Sequence, residues 1–317
     1  MKTPGIEVVL EAAIVSVARN EPRILTVKGP DIGQDGALPG LPSGALEVSV
    51  DRTLDRGLRR WVRERTGIEV GYVEQLYTFG DRFRNPSERG GGPRILSIAY
   101  LALMREERPS ADASWQPWYG FLPWEDHREG EPDVIGRSIS PVLEAWISSA
   151  DSTDGAKLRA ERSAVAFGLG DTPWDPVRVL ERYELLYEVG LIAEARRDRR
   201  GRESSEVLPG NPMMLDHRRI AATALARLRG KLTYRPVVFE LLPETFTLLA
   251  LQQLVEALAG VRLHKQNFRR LVERGGLVEG TGCHASTGGR PAELYRFRRE
   301  VLRERPRPGV GFPHRSS

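Results

Sequence analysis

Near the carboxy end of the chain, His264-Lys265-Gln266-Asn267-Phe268-Arg269-Arg270-Leu271-Val272 joins an apolar face to a polar, cationic one. On a helix, Phe268, Leu271 and Val272 point one way and pack inward. Gln266, Arg269 and Arg270 lie roughly opposite, with Lys265 and Asn267 flanking them. Arginine can read guanine through paired hydrogen bonds, and Asn or Gln can read adenine. The remaining cations suit phosphate contacts. Further on, Thr287-Gly288-Gly289-Arg290-Pro291 raises one arginine on a glycine-rich tip, a shape suited to a narrow minor groove. Arg262 to Arg307 holds twelve Lys/Arg and five Asp/Glu, whereas the whole chain has a formal charge of only +4. Positive charge is therefore concentrated here, which supplies the salt-dependent phosphate term of DNA binding. Lys265, Gln266, Asn267, Arg269, Arg270 and Arg290 are the expected DNA contacts. The competing reading is a basic, solvated face of an interaction domain.

The elements around these residues favour DNA. Arg218 to Lys231 has helical spacing, Tyr234 to Leu242 reads as a strand, and Thr245 is the expected N-cap of a helix ending near Leu258. Gly260 then makes a turn and His264 to Arg274 a second helix. Leu277-Val278 and Leu294 to Phe297 form two strands flanking the glycine-rich tip. Helix, strand, helix, turn, helix, hairpin is the order of a winged helix-turn-helix.

The amino-terminal part has a different pattern. Val8, Leu10, Ala12 and Ile14 alternate with Val9, Glu11, Ala13 and Val15, a strand with a well-buried face. A second strand follows the Asn20-Glu21-Pro22 turn, and residues 29–47 read as loop. Leu54, Leu58, Trp61 and Val62 form one apolar stripe of a helix over about 51–66, with Gly67 as its C-cap. Tyr72–Phe79 and Ile95–Met104 are strand-like. Between these regions, Val142–Ile147, Leu158–Phe167 and Val177–Ala195 are helical and carry no chemistry-bearing constellation, and 196–206 reads as a charged loop.

Composition narrows the function classes. The chain has 317 residues and a single cysteine, Cys283, which rules out an internal disulfide and a paired-cysteine metal knuckle. Cys283 reads as an ordinary exposed thiol. No run of about 18 apolar residues is present, so no membrane span is expected and a cytoplasmic location is the default. Phosphate-loop, zinc-helix and nucleophile-elbow motifs are missing, and the five histidines lack ligand spacing.

Arg63-Glu64-Arg65-Thr66-Gly67-Ile68 resembles the end of a Nudix box, G-x5-E-x7-R-E-U-x-E-E-x-G-U, in which glutamates hold a divalent metal against a nucleoside diphosphate. Anchored on Gly67, the arginine is kept as Arg60 and the apolar position as Val62. The glutamate after the arginine has become Trp61, the paired glutamates are Glu64 and Arg65, the upstream glutamate position falls on Arg52, and the leading glycine position on Leu46. One acid of four remains in this register. Hard cations need several oxygen ligands, so no metal site and no catalytic residue are expected. Arg52, Arg60, Glu64 and Arg65 are the candidate effector-binding residues, with guanidinium taking over part of the neutralisation of a diphosphate. Arg52, Arg56, Arg59 and Arg63 also form a stripe that reads for the most part as solvated.

Several blocks resemble the Nudix-related transcriptional regulators of bacterial NAD metabolism, the NrtR-like family. They are Gln75 to Asp81, Ile95 to Leu103, Leu228 to Tyr234, Leu241 to Leu248, Asn267 to Arg270 and Gly289 to Phe297. The resemblance covers about 1–105 and 216–300. It implies an α+β chain with a Nudix-like α/β/α sandwich at 1–120, a helical linker or dimerisation segment at 121–215, a winged helix-turn-helix at 216–305 and a flexible tail at 306–317. It implies a repressor that senses ADP-ribose or a related NAD-derived nucleotide, needs no cofactor, and binds double-stranded operator DNA as a homodimer. The segment Trp115 to Trp124 follows a longer subgroup pattern. Its aromatics are either core, the simpler reading, or a stacking surface for adenine. A Nudix pyrophosphatase acting on ADP-ribose or another nucleoside diphosphate derivative is the alternative function, and a nucleotide-binding scaffold without DNA is a third.

Overall fold

The computed structural model describes residues 5–29, 38–110, 112–199, 208–286, 291–304 and 309. Its first half is built on β1 (Ile6–Ala18), whose alternation is apolar on both faces. Leu10, Ala12 and Ile14 pack to one side with Leu58 and Val62, while Ala13 and Val15 join a larger core on the other. A strand buried on both faces must be covered twice, which dictates a sandwich. β2 (Glu21–Lys28) pairs antiparallel with β1, and β6 (Arg94–Leu103) pairs parallel with it from Ile6–Arg94 to Val15–Leu103. The path runs β3 (Pro39–Gly40), β2, β1, β6, β5 (Tyr72–Phe79); β4 (Ser43–Ala45) adds to β1 and β7 (Ala113–Pro117) to β2. The 29–47 segment, expected as loop, thus contributes two short strands, because β1 outruns β2 and leaves Val9–Glu11 open to pair with β4.

Helix α1 (Leu54–Thr66) covers one face. The Thr53 hydroxyl accepts from the Arg56 amide, and Gly67 ends the helix in the left-handed region at φ 70°, as its spacing predicts. On the other side the chain forms α2 (Trp118–Phe121), α3 (Ser140–Ser148), α4 (Thr153–Phe167), α5 (Val179–Glu188), α6 (Ala193–Asp198) and α7 (His217–Leu232); α2 and α7 meet the sheet, and α3 to α6 build outward from α7 through α5. Of the charged loop expected at 196–206, Arg196 to Asp198 are helical instead, and 200–207 lie outside the described residues. Trp118 and Trp124 are fully buried and Trp115 nearly so, which places them in the core. Helix α7 lies against β1, β5 and β6 and also touches α5 and α8 (Leu248–Ala259). The helix that reads from sequence as the start of the carboxy-terminal unit is thus packed on the amino-terminal sheet as well.

The carboxy-terminal unit contains α8 (Leu248–Ala259), α9 (Lys265–Gly275), a hairpin of β9 (Val278–Ala285) and β10 (Ala292–Phe297), and α10 (Val301–Glu304). Tyr234–Leu242 is not a strand: Val237–Leu241 forms a 3-10 turn. Pro236 and Pro243 bracket the run, and Phe239 turns inward to stack on Phe297 at 4.3 Å. The ladder position beside β10 goes instead to β8 (Thr245–Phe246). The N-cap of α8 is therefore Thr247, whose hydroxyl accepts from the Ala250 amide at 3.1 Å, and not Thr245. Thr247→Ala should lower stability by about 1 kcal/mol in chemical unfolding; Thr245→Ala, which removes no cap, should change it less.

Candidate effector pocket and nucleic-acid interface

The residues that align with the box pattern cluster where α1 meets β4. The Arg60 guanidinium is gripped by Asp51 through two hydrogen bonds of 3.0 and 2.8 Å, and by Glu47 and Glu64 at 3.2 Å each. The Arg60 hydrogen bond holds the Asp51 carboxyl below its usual range, so this pair persists into acid. Asp51 is the residue that sequence reasoning missed. It stands one position before Arg52, where the box pattern places its upstream glutamate, and an acid displaced by one residue is invisible to a fixed spacing. Trp61 lies flat over Gly44 of β4, where any Cβ would collide with the indole. Its Nε1 donates to the Ala45 carbonyl at 2.6 Å. Arg65 is exposed and stacks over the Trp61 ring at 5.3 Å, with Arg60 at 5.6 Å. The structure thus gathers Arg60, Glu64, Arg65 and Trp61; Arg52 stands exposed ahead of α1, apart from their contacts.

The outer side of α1 forms a groove of about 310 Å³ lined by Arg56, Arg59, Arg60, Arg63, Glu69 and Val70. Much of its charge is already matched. Arg59 binds Asp55 at 2.9 Å and the Gly71 carbonyl at 3.1 Å, and Arg63 faces Glu69 at 3.8 Å. A larger cleft, about 1040 Å³, opens between the end of α7 and the winged unit. Its cations Lys231, Arg235, Arg296 and Arg299 are balanced by Glu240, Glu244, Glu279 and Glu300, so it has no electrostatic preference for an anion.

In the carboxy-terminal unit, α9 keeps the division its sequence implies. Phe268 and Val272 are fully buried, Leu271 is half-buried, and Lys265, Gln266, Arg269 and Arg270 are exposed. Asn267 is half-buried and accepts from Arg270 at 3.2 Å. One exposed face therefore offers three cations, an amide donor-acceptor and no carboxylate between Lys265 and Arg270, which suits phosphates and base edges together. Strands β9 and β10 pair antiparallel below the tip. Arg290 itself lies outside the described residues.

Comparison with known proteins places these units. The family profile of the NrtR DNA-binding winged helix domain matches residues 238–297. The chain is 40% identical over 294 residues to the ADPR responsive transcriptional repressor NtrR of Acinetobacter baylyi, covering 93% of this chain and 83% of that one. Shewanella oneidensis NrtR, crystallised with a 27mer DNA, superposes with a TM-score of 0.56 at 20% identity, over 93% of this chain and 95% of that one. A MutT/nudix family protein from Enterococcus faecalis gives 0.53 at 15% identity, over 94% and 88%. These two structures share the fold, a Nudix-like sandwich carrying a winged helix. The 40% identity to the Acinetobacter repressor over nearly the whole length, with the winged-helix profile matched at residues 238–297, decides the family: the chain belongs to the NrtR-type, Nudix-related transcriptional regulators.

Proposed function

We propose that this protein is a cytoplasmic, homodimeric repressor whose Nudix-type domain binds ADP-ribose, or a related NAD-derived nucleotide, without cleaving it, and whose winged helix holds operator DNA. The observation that carries the sensing half is the pairing of Trp61 with Ala45 and of Arg60 with its three carboxylates. The donors at the box do not suit a divalent cation. An indole N–H points at the Ala45 carbonyl, a guanidinium occupies the space between Glu47, Asp51 and Glu64, and Arg65 adds a further positive charge. Hard cations need several free oxygen ligands, so this arrangement favours holding a nucleotide over cleaving it. The hydrolase reading relies on Glu64, and that carboxylate is engaged by Arg60.

In this reading the diphosphate meets the exposed Arg65 beside the Trp61 ring, while Arg60 holds the segment before α1 to the helix through Glu47 and Asp51. The DNA half rests on the exposed cationic face of α9 and on the kinship with a named repressor. Arg65→Ala should weaken ADP-ribose binding about tenfold in calorimetry, the effect of losing one charge-assisted hydrogen bond. Unchanged affinity would move the nucleotide away from α1. Incubating the protein with ADP-ribose and Mg²⁺ should return the nucleotide intact; turnover abolished by Glu64→Gln would restore the hydrolase reading.

A further inference from the structure

The turn that leads from α8 into α9 is held by a buried polar joint drawn from three other parts of the chain. Glu125, just after α2, is fully buried and accepts from Arg182 of α5 at 2.6 and 2.9 Å and from Arg229 of α7. Arg229 also donates to the Leu258 carbonyl of α8 at 3.0 Å and to the Glu125 carbonyl at 2.9 Å. The Tyr119 hydroxyl donates to the Ala257 carbonyl at 2.6 Å and accepts from Arg229 at 3.2 Å. Beside them the His127 amide donates to the Gly260 carbonyl at 2.7 Å. Arg262, two residues before the cap of α9, pairs with Glu129 at 2.5 Å and Glu256 at 3.3 Å. Gly260 sits at φ 72°, and a Cβ there would strike both the Glu125 carbonyl and the Arg229 guanidinium.

Arg182, Glu125 and Arg229 have no exposed side-chain surface, so none of them can touch DNA or a nucleotide directly. Buried ion pairs add little stability over an apolar replacement, because desolvation offsets the attraction. What they add is direction: a planar guanidinium satisfies its partners in one orientation only. Helix α7 is itself tied to the sheet. Arg84, from the loop between β5 and β6, binds Asp216 at the start of α7 and also reaches Glu11 of β1 at 3.5 Å. Arg229 therefore carries the position of the sheet to the Leu258 carbonyl near the end of α8.

We propose that Tyr119, Glu125, Arg182 and Arg229 are positioning residues for operator recognition, fixing the angle at which α9 is presented relative to the Nudix-type domain. The proposal rests on the DNA-binding reading above. In a dimer that angle sets the separation of the two recognition helices, and so the half-site spacing that fits.

The test uses full-length protein and a duplex selected in vitro by the wild type, with versions whose half-site spacing differs by single base pairs and a shuffled control. Tyr119→Phe, which deletes one hydroxyl, should weaken the selected duplex about fivefold, and Arg229→Lys about tenfold. Both should flatten the preference among spacings and leave affinity for the shuffled duplex unchanged. A purely structural role would lower affinity for selected and shuffled duplexes in parallel with the melting temperature, and that result, or no change in either variant, overturns the proposal. If Arg229→Lys does not fold, Tyr119→Phe decides alone. A wild type that selects no duplex overturns the DNA-binding reading itself, and that failure is seen before any variant is made.

Discussion

Alanine at both Arg269 and Arg270 should weaken binding to a selected duplex by about a hundredfold, with each single substitution contributing about 1–3 kcal/mol if it reads a base. The two side chains are exposed on the polar face of α9, opposite the buried Phe268 and Val272, so their removal leaves the fold of the winged unit intact. Salt separates the two kinds of contact. A residue that grips phosphate lowers the slope of log affinity against log salt by about 0.9 when removed and weakens all sequences alike. A residue that reads a base relaxes preference at one position. Arg270 also donates to Asn267, so Arg270→Ala additionally frees the Asn267 amide oxygen. Fluorescence anisotropy at several salt concentrations resolves these outcomes. Unchanged affinity and slope in the double variant would remove α9 from the interface.

Glu125→Gln should lower stability by about 3–5 kcal/mol, a large share of what a domain possesses. The substitution keeps the shape but removes the charge and turns one accepting oxygen into an NH2 that faces guanidinium donors, leaving Arg182 and Arg229 buried without a counter-ion. Burial opposes the charge on Arg229, and Tyr119 and Glu125 outweigh it, so the guanidinium is held more firmly protonated than usual. It cannot escape by losing its proton. Glu279→Gln is the natural control. Its partner Arg296, at 2.6 Å, is largely exposed, and such pairs contribute about 0–1 kcal/mol. Urea unfolding of the two variants should show a clear gap. Equal midpoints would mean that the joint is dispensable for the fold.

Much of this architecture is legible in local patterns. The two-faced alternation of β1 announces a strand covered on both sides. The Leu54–Leu58–Trp61–Val62 stripe and Gly67 mark α1, and the order of elements from Leu248 to Phe297 marks the winged unit. What escapes is what depends on distance along the chain. Glu125 meets Arg182 and Arg229 across 57 and 104 residues, and no periodicity links them. Residues 234–242 carry an apolar run that fits a strand until Phe239 finds Phe297. Thr245 and Thr247 are chemically equivalent caps, and only the pairing of Thr245–Phe246 with β10 decides between them. At α1, the fixed spacing matches residues to the box pattern one by one but does not show that Asp51, Glu47 and Glu64 gather around Arg60. Spacing compares positions; packing brings together residues from outside the pattern.

The measurement that bears most directly on a sensing, non-cleaving Nudix domain is a single titration. Purified protein is bound to its selected duplex in Mg²⁺ buffer, ADP-ribose is added, and the DNA occupancy and the nucleotide are followed together. For a sensing domain, occupancy should shift with ADP-ribose concentration while the nucleotide is recovered uncleaved. Release of AMP and ribose 5-phosphate, with occupancy insensitive to intact ADP-ribose, would contradict it.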